Sequence, residues 1–374
     1  MAQNDTIAAL DIFEELKDPR QPGKVKYPLN EIILVALCAS ICGADTFIEI
    51  AEFGQAKIDF LKRLLPFANG IASHDTFGAV FSNIDRKQFS ELFIKWVQAL
   101  QTEIPCLVAI DGKTVRRSRN GDLPPIHVLS AWASDQNLVM GQVKTDTKSN
   151  EIKAIPELLE MLMLKKALVS IDAMGCQKEI AGQIISKKAD YLLSVKRNQP
   201  ALYNELALAF EAHDAEMALF QVLEQEHTDK DHGRIERRIY SITWDVKNLE
   251  AKEIWPGLKC IGRVRTLREV KGKISDEVRY FISSRKLDAA EFGKAVRSHW
   301  GIENKLHWVM DVVFSDDDSR VRIRNAAANF VTLKHITLNM LKMLPGKQSM
   351  RVRRKRASWD EEYLLSALKV PLGK

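Results

Sequence analysis

Three acidic residues offer the clearest chemistry in this sequence. Asp111 and Asp172 each follow a short apolar run, over 106–110 and 167–171. In an open α/β sheet, side chains that leave the carboxyl ends of buried strands reach the crevice where ligands collect. Glu303 lies in the word His299-Trp300-Gly301-Ile302-Glu303-Asn304-Lys305-Leu306-His307-Trp308, which has the apolar spacing of a helix. The three acids are too far apart in the chain for a local motif, so they suit a site assembled by the fold. Carboxylates sharing one pocket repel each other unless cations neutralise them. Mg²⁺ takes one or two such carboxylates and leaves its remaining positions to water and substrate phosphate. A pair of ions held this way can activate an attacking oxygen and stabilise a leaving one. Aspartates at strand ends also cap the turn or helix that follows, and for Asp111 and Asp172 that reading stands beside the first.

The same helix carries His299, Glu303, His307 and Asp311 at four-residue intervals, so one face can hold all four. A transition-metal site is one reading. The other is the polar stripe of an amphipathic helix whose packing face is Trp300, Ile302, Leu306 and Val309. Glu303 is assigned to the metal, and His299 and His307 to phosphate contacts. Asp316-Asp317-Asp318 lacks the glycine and distal glutamate of a calcium loop and is read as capping before Arg324. Basic residues flank the pocket: Lys113, Arg116, Arg117 and Arg119 after the first aspartate, and Lys196-Arg197-Asn198 at a later strand end. Positioning phosphates is their natural role, and a solvated loop is the alternative. Glycine-rich phosphate loops, a serine nucleophile elbow and paired CxxC motifs are absent from the sequence.

The elements that must hold these residues change character along the chain. Residues 1–103 read as helices, over 5–16, 29–42, 46–65 and 73–101, the last broken near Asn83. They suit either a DNA-reading helix-turn-helix or a docking domain. From residue 104 the pattern turns to strands over 106–110, 127–133 and 138–144, then a helix over 151–164, a strand over 167–171, a helix over 177–188 and a strand over 191–196. Three meandering strands followed by α/β crossovers is the layout of an RNase H-like mixed sheet with helices on its faces. A helix over 200–212 comes next, then alternating segments over 234–246, 258–267 and 278–283, read as a β-rich insertion. Single helices over 289–312 and 324–344 follow. The resulting division is 1–103 helical, 104–224 first part of the core, 225–287 β-rich insertion, 288–345 closing helices of the core, and 346–374 basic tail.

With 374 residues, 46% hydrophobic and 28% charged, the chain has room for substantial cores, which excludes a disulfide-stapled miniature, a collagen-like repeat and a disordered polymer. The net charge of +6 is mild for this length. Lys347, Arg351, Arg353, Arg354, Lys355 and Arg356 sit in one acid-free stretch, so the surplus concentrates there, in a stretch suited to nucleic-acid backbone. Five scattered cysteines, no apolar run long enough to cross a membrane and no signal-peptide pattern point to a reducing cytoplasm.

Several longer words, in order, resemble a known family: the H-repeat-associated, ISAs-type transposases of bacterial insertion sequences, members of the DDE superfamily. They are Asp18-Pro19-Arg20, Ile41-Cys42-Gly43-Ala44-Asp45, Ala109-Ile110-Asp111-Gly112-Lys113-Thr114, Lys144-Thr145-Asp146 with Lys148-Ser149-Asn150-Glu151-Ile152, Asp172-Ala173-Met174-Gly175-Cys176-Gln177, Asp231-His232-Gly233-Arg234, His299-Trp300 through Trp308-Val309-Met310-Asp311, and Asn325-Ala326-Ala327. The resemblance runs nearly the full length. It implies an RNase H-like core, an Asp111, Asp172 and Glu303 site for two Mg²⁺ or Mn²⁺ ions, and cleavage at element ends followed by joining of the freed 3′ hydroxyl to target DNA. It also implies double-stranded DNA as partner, meaning terminal inverted repeats and target, a homo-oligomer on synapsis, no membrane, and a place in the bacterial cytoplasm in association with the nucleoid. The wider insertion-sequence signature sets Tyr, Arg and Lys around the glutamate, and here those positions hold Val296, His299 and Met310. Arg297, Lys305 and His307 are the basic residues left for DNA contact on this helix. Arg197 stands where the family's Val-Lys-Gly-Asn-Gln word has glycine. A non-catalytic DNA-binding descendant, or a nuclease that does not join strands, is the alternative.

Overall fold

The structure is a computed structural model that describes residues 13–369 apart from 102, 120, 122–123, 146–149, 218–220 and 232–233. The expected helix over 5–16 and the words containing Asp146, Lys148, Ser149, His232 and Gly233 lie wholly or partly outside the described residues.

Helices α1 (Leu29–Cys42), α2 (Phe47–Ala56), α3 (His74–Asn83) and α4 (Arg86–Leu100) begin the described chain. Their ends follow the local chemistry. Gly43 adopts a left-handed φ of 113° that closes α1. Thr46 and Glu49 form a reciprocal capping box on α2, and Ser73 and Asp85 cap α3 and α4. The chain then makes β1 (Leu107–Thr114), β2 (His127–Ala133) and β3 (Leu138–Thr145), α5 (Glu151–Met161), β4 (Leu168–Ile171), α6 (Lys178–Ser186), β5 (Asp190–Val195) and α7 (Pro200–Asp214). Strands β6 (Leu223–Asp231), β7 (Arg234–Thr243), β8 (Cys260–Val270) and β9 (Lys273–Ser283) precede α8 (Ala289–Ile302), α9 (Ala326–Met343), α10 (Met350–Trp359) and α11 (Glu361–Leu368).

All nine described strands join one sheet in the order β3-β2-β1-β4-β5-β9-β8-β7-β6. β1, β2 and β3 meander antiparallel, while β4 and β5 run parallel to β1 through helical crossovers, which is the RNase H-like arrangement. The β-rich segment is therefore no separate sheet. β9 pairs antiparallel with β5 and continues the core sheet outward.

One face of the sheet is covered by α5, α6 and α7. The other packs against a single hydrophobic cluster that includes Ile33 of α1, Phe77 of α3, Trp96 of α4, Leu306, Leu333 of α9 and Leu364 of α11. The N-terminal helices thus share their core with the last helices of the chain. α9 runs through this cluster with nearly every residue buried, and its Asn339 exchanges two hydrogen bonds with the Val139 backbone of edge strand β3, at 2.8 and 2.9 Å. That satisfies an edge which would otherwise need water or another chain.

The basic stretch at the end differs from a free tail. It forms α10, and Arg353 and Arg354 are buried. Arg353 donates to the carbonyls of Leu341, Leu344, Gly346 and Gln348. Arg354 donates to those of Ser40 and Val313 and to Asp45. An arginine at the end of α9 thus saturates carbonyls that a helix leaves unpaired. Among the described residues no single helix is long and apolar enough to cross a membrane.

Candidate active site

The first carboxylate is positioned by strand pairing. Sequence reading ended the strand at Asp111, but β1 continues through Thr114, and Asp111 pairs with Ser130 of β2. On the other side the parallel pairing with β4 stops at Ile110 opposite Ile171. The next residues on the two strands are Asp111 and Asp172, so the register brings the two aspartates side by side where the strands part. Gly112 points to the opposite face, where a Cβ would collide with the buried His127 and Glu151 pair.

Asp172 takes the capping role foreseen for it and also lines the cleft. One oxygen, Oδ1, accepts from the Met174 and Gly175 N–H groups at 3.0 and 3.4 Å and caps a short 3₁₀ turn over Ala173–Gly175. The other oxygen makes no hydrogen bond among the described residues. Asn198 Nδ2 donates to the Ala173 carbonyl at 2.7 Å and Gln199 Nε2 to the Cys176 carbonyl at 2.9 Å. Asn198, read as a DNA contact, instead braces the turn that carries Asp172.

Glu303 arrives from the helix after the β-rich segment. The expected helix over 289–312 is interrupted: α8 ends at Ile302, a π-helical turn spans Glu303–His307, and a short α-helix follows over Trp308–Val312. Such π turns are frequent at functional sites because they re-aim side chains. Here Glu303 Oε2 stands 3.4 Å and Asp111 Oδ2 3.5 Å from His307 Nδ1, and one ligand atom from each of the three residues lies within 4.8 Å of the others. His307 is buried between the carboxylates, which departs from the phosphate contact expected of it. His299 is half-buried and shares a hydrogen bond with Ser170 at 3.0 Å. It lines the cleft, and its burial lowers its pKa.

Asp111, Asp172 and Glu303 all line one cleft of about 570 Å³, with Lys196, Arg279 and Trp300 on its walls. Burial, and then the neighbouring Glu303 and Asp172 charges, push the Asp111 carboxyl up to about 8. Glu303, hydrogen-bonded to His307, is held below the usual carboxylate range. The pair therefore keeps a proton on Asp111 at neutral pH. A set of crowded oxygen donors that retains a proton is one that a hard divalent cation would relieve, and the donor chemistry fits such an ion.

Other assignments shift. Lys113, two residues beyond Asp111 on the same strand face, contacts Asp311 at 2.6 Å, Asp316 at 3.4 Å and Asp317 at 3.5 Å. Burial lowers its pKa, but those carboxylates more than reverse the effect. Its charge is spent on the protein's own carboxylates, which departs from the phosphate contact expected of it. Asp316 is also buried against Lys334 of α9 at 3.1 Å, so the triple-aspartate segment anchors cations of the protein itself. Arg116 and Arg117 are exposed and pair with Asp317 and Asp318. Arg197 stacks over Tyr203, Arg297 is half-exposed near Asp229, and Lys305 donates to Asn137. Trp300, expected in the packing face, is exposed, with Arg279 5.0 Å from its ring centroid. The sequence reading missed this Arg279 and Trp300 wall, because Arg279 belongs to β9 and nothing local ties that strand to the cleft.

The family model described as Transposase DDE domain matches residues 103–340, and one described as DDE_Tnp_1-associated matches 10–97. "Putative transposase YncI" of Escherichia coli O157:H7 is 41% identical over 373 residues, covering 96% of this chain and 94% of that one. "H repeat-associated putative transposase YhhI" of Escherichia coli strain K12 is 40% identical over 370 residues, covering 94% and 95%. The solved piggyBac transposase synaptic complex with hairpin DNA is similar at 12% identity with a TM-score of 0.43, over 96% of this chain and 76% of that one, too remote to carry residue roles. By family match and by relatives that span nearly its whole length, the chain belongs to the DDE-domain transposases.

Proposed function

We propose that this transposase cuts DNA at the ends of a bacterial insertion sequence and joins the freed 3′ hydroxyl to target DNA, with Asp111, Asp172 and Glu303 as its catalytic carboxylates. The observation that carries this reading is the convergence of β1, the end of β4 and the π turn on one cleft. Two Mg²⁺ or Mn²⁺ ions bound by these carboxylates would supply charge neutralisation at the scissile phosphate and activation of the attacking oxygen. The chain's own work is to hold the carboxylates still. The capped turn fixes Asp172, His307 orients Glu303 against Asp111, and Lys196 at the cleft wall offers a cation to substrate phosphate. Double-stranded element ends and target DNA are the partners, and synapsis of two ends implies a homo-oligomer. Five free cysteines are in keeping with a reducing cytoplasm.

The test is an assay of Asp111→Asn, Asp172→Asn and Glu303→Gln on duplexes ending in the inverted repeats that flank the coding region. Loss of Mn²⁺-dependent nicking and of strand transfer, with duplex binding retained, supports the reading. Nicking without transfer identifies a nuclease. Full activity in any of the three variants removes that residue from the site.

A further inference from the structure

A surface outside the cleft has the features of a second contact for nucleic acid. The loop after β1 and the loop before α9 lie against each other, held by a 2.9 Å hydrogen bond from Arg322 Nε to the Arg117 carbonyl. Together they expose Arg116, Arg117, Arg320, Arg322 and Arg324. The second loop is also pinned to the N-terminal helices. Arg324 Nη1 donates to Asn83 Oδ1 at 2.7 Å, and the Asn325 side chain donates to the Ile84 carbonyl at 3.1 Å.

Three observations separate this ridge from an ordinary solvated loop. First, the guanidiniums of Arg322 and Arg324 each spend one donor on the protein, which orders the group while its remaining donors stay available. Forks ordered in this way bind phosphate oxygens at lower entropic cost. Second, the segment is bracketed by two non-glycine residues in left-handed conformation, Ser315 with φ 48° and Arg324 with φ 46°. Backbone held there costs free energy, and such positions concentrate at binding sites. Third, acidic partners are few. Asp317 and Asp318 pair with Arg116 and Arg117, Asp45 across the adjoining groove pairs with Arg354 and Asp75 there lies 3.4 Å from His74, and Arg320 has no hydrogen bond or ion pair among the described residues. The ridge keeps a clear positive excess.

Its position supplies the partner. Arg116 is five residues from Asp111 along β1 and its exit, which limits their Cα separation to about 18 Å at ~3.6 Å per residue. That is a span of about five base pairs at 3.4 Å per phosphate. We propose that this arginine ridge grips the phosphate backbone of duplex DNA as it runs out of the catalytic cleft, independently of base sequence. The inference rests on the reading that the cleft acts on DNA.

The experiment measures binding of the full chain to a fluorescent duplex of arbitrary sequence, by anisotropy, over a salt series without divalent metal. Each phosphate contact contributes about 0.9 to the slope of log affinity against log salt. The Arg320→Gln, Arg322→Gln, Arg324→Gln triple variant is expected to flatten that slope by about 2.7, equally for unrelated sequences, and the matching lysine variant to restore most of it. Arg320→Gln alone, which breaks no described bond, is expected to flatten it by about 0.9 with an unchanged melting temperature. If wild type binds no duplex at any salt, the DNA reading of the whole molecule fails. If wild type binds and both glutamine variants keep its slope, the ridge proposal is overturned. It is equally overturned if the variants change only sedimentation, since the ridge would then be a protein interface.

Discussion

Asp111 is the residue on which the most chemistry turns. In the unfolded chain its carboxyl ionises near 3.8, whereas in the fold it stays protonated up to about 8. Between those values unfolding releases a proton, so stability without metal falls as pH rises through this window. The Glu303 shift has the opposite sign, but its stabilisation is lost only below its ordinary range, outside the window. His335, held neutral by burial down to about 3, and Lys342, lowered by burial to about 7, act in the opposite direction, so the Asp111 contribution is read as a difference: the melting temperature of the metal-free protein minus that of Asp111→Asn is expected to decline from pH 5 to pH 8. Mn²⁺ must displace the proton, so calorimetry in buffers of different ionisation enthalpy should register proton release at pH 6 that vanishes above pH 9. A difference between wild type and Asp111→Asn that does not change with pH would refute the protonated state. On the reverse face of β1, Gly112→Ala forces a methyl into the His127 and Glu151 pair, and overpacking of this kind costs about 1 to 3 kcal/mol, readable as a lower urea midpoint.

The π turn and β1 are clamped at two levels. Asp111 meets Glu303 and His307 at one, and Lys113 meets Asp311 at the next. This follows from two periodicities, since alternate residues on a strand share a face and residues four apart on a helix do so as well. Lys113→Met leaves Asp311 and the buried Asp316 short of a cation. Breaking a buried pair from one side typically costs about 3 to 5 kcal/mol, and partial exposure of Asp311 places the expectation at the lower end. Equilibrium unfolding would measure it. The salt slope of DNA binding should stay as in wild type, because the Lys113 ammonium is already paired with Asp311, Asp316 and Asp317. A flattened slope would return Lys113 to the set of DNA contacts.

Across the whole molecule, the buried Asp316 and Lys334 pair joins the segment after the π turn to α9, the helix that runs through the main core. Lys334→Met is expected to cost about 3 to 5 kcal/mol, and the double variant with Asp316→Leu to recover much of it, because two apolar groups replace the pair without stranding a charge. The C-terminal helices matter in the same way. A chain ending at residue 345 lacks Arg353 and Arg354, and with them the cations that satisfy the end of α9 and tie it to α1. Amide exchange over α1 is expected to accelerate in that truncation. Unchanged protection would show the two ends of the chain to be independent.

Local pattern was enough to mark the helices of the first 344 residues in outline, the first five strands, and Asp111, Asp172 and Glu303 as the acids to follow, since apolar periodicity and capping residues act over a few positions; α10 and α11 lay hidden in a stretch whose charge read as a tail. Resemblance in long words added the family. Which side chains meet depended on longer-range facts that no window contains. The parallel register of β1 and β4 sets two aspartates abreast, and the π turn redirects Glu303 and buries His307. The pairing of β5 with β9 brings Arg279 to the cleft. The same holds for the basic residues. Composition registers a charge but not its neighbours, so Lys113, Arg353 and Arg354 counted toward a DNA surface until packing surrounded them with carboxylates and carbonyls. Arg320, Arg322 and Arg324 stood out only once two distant loops lay side by side.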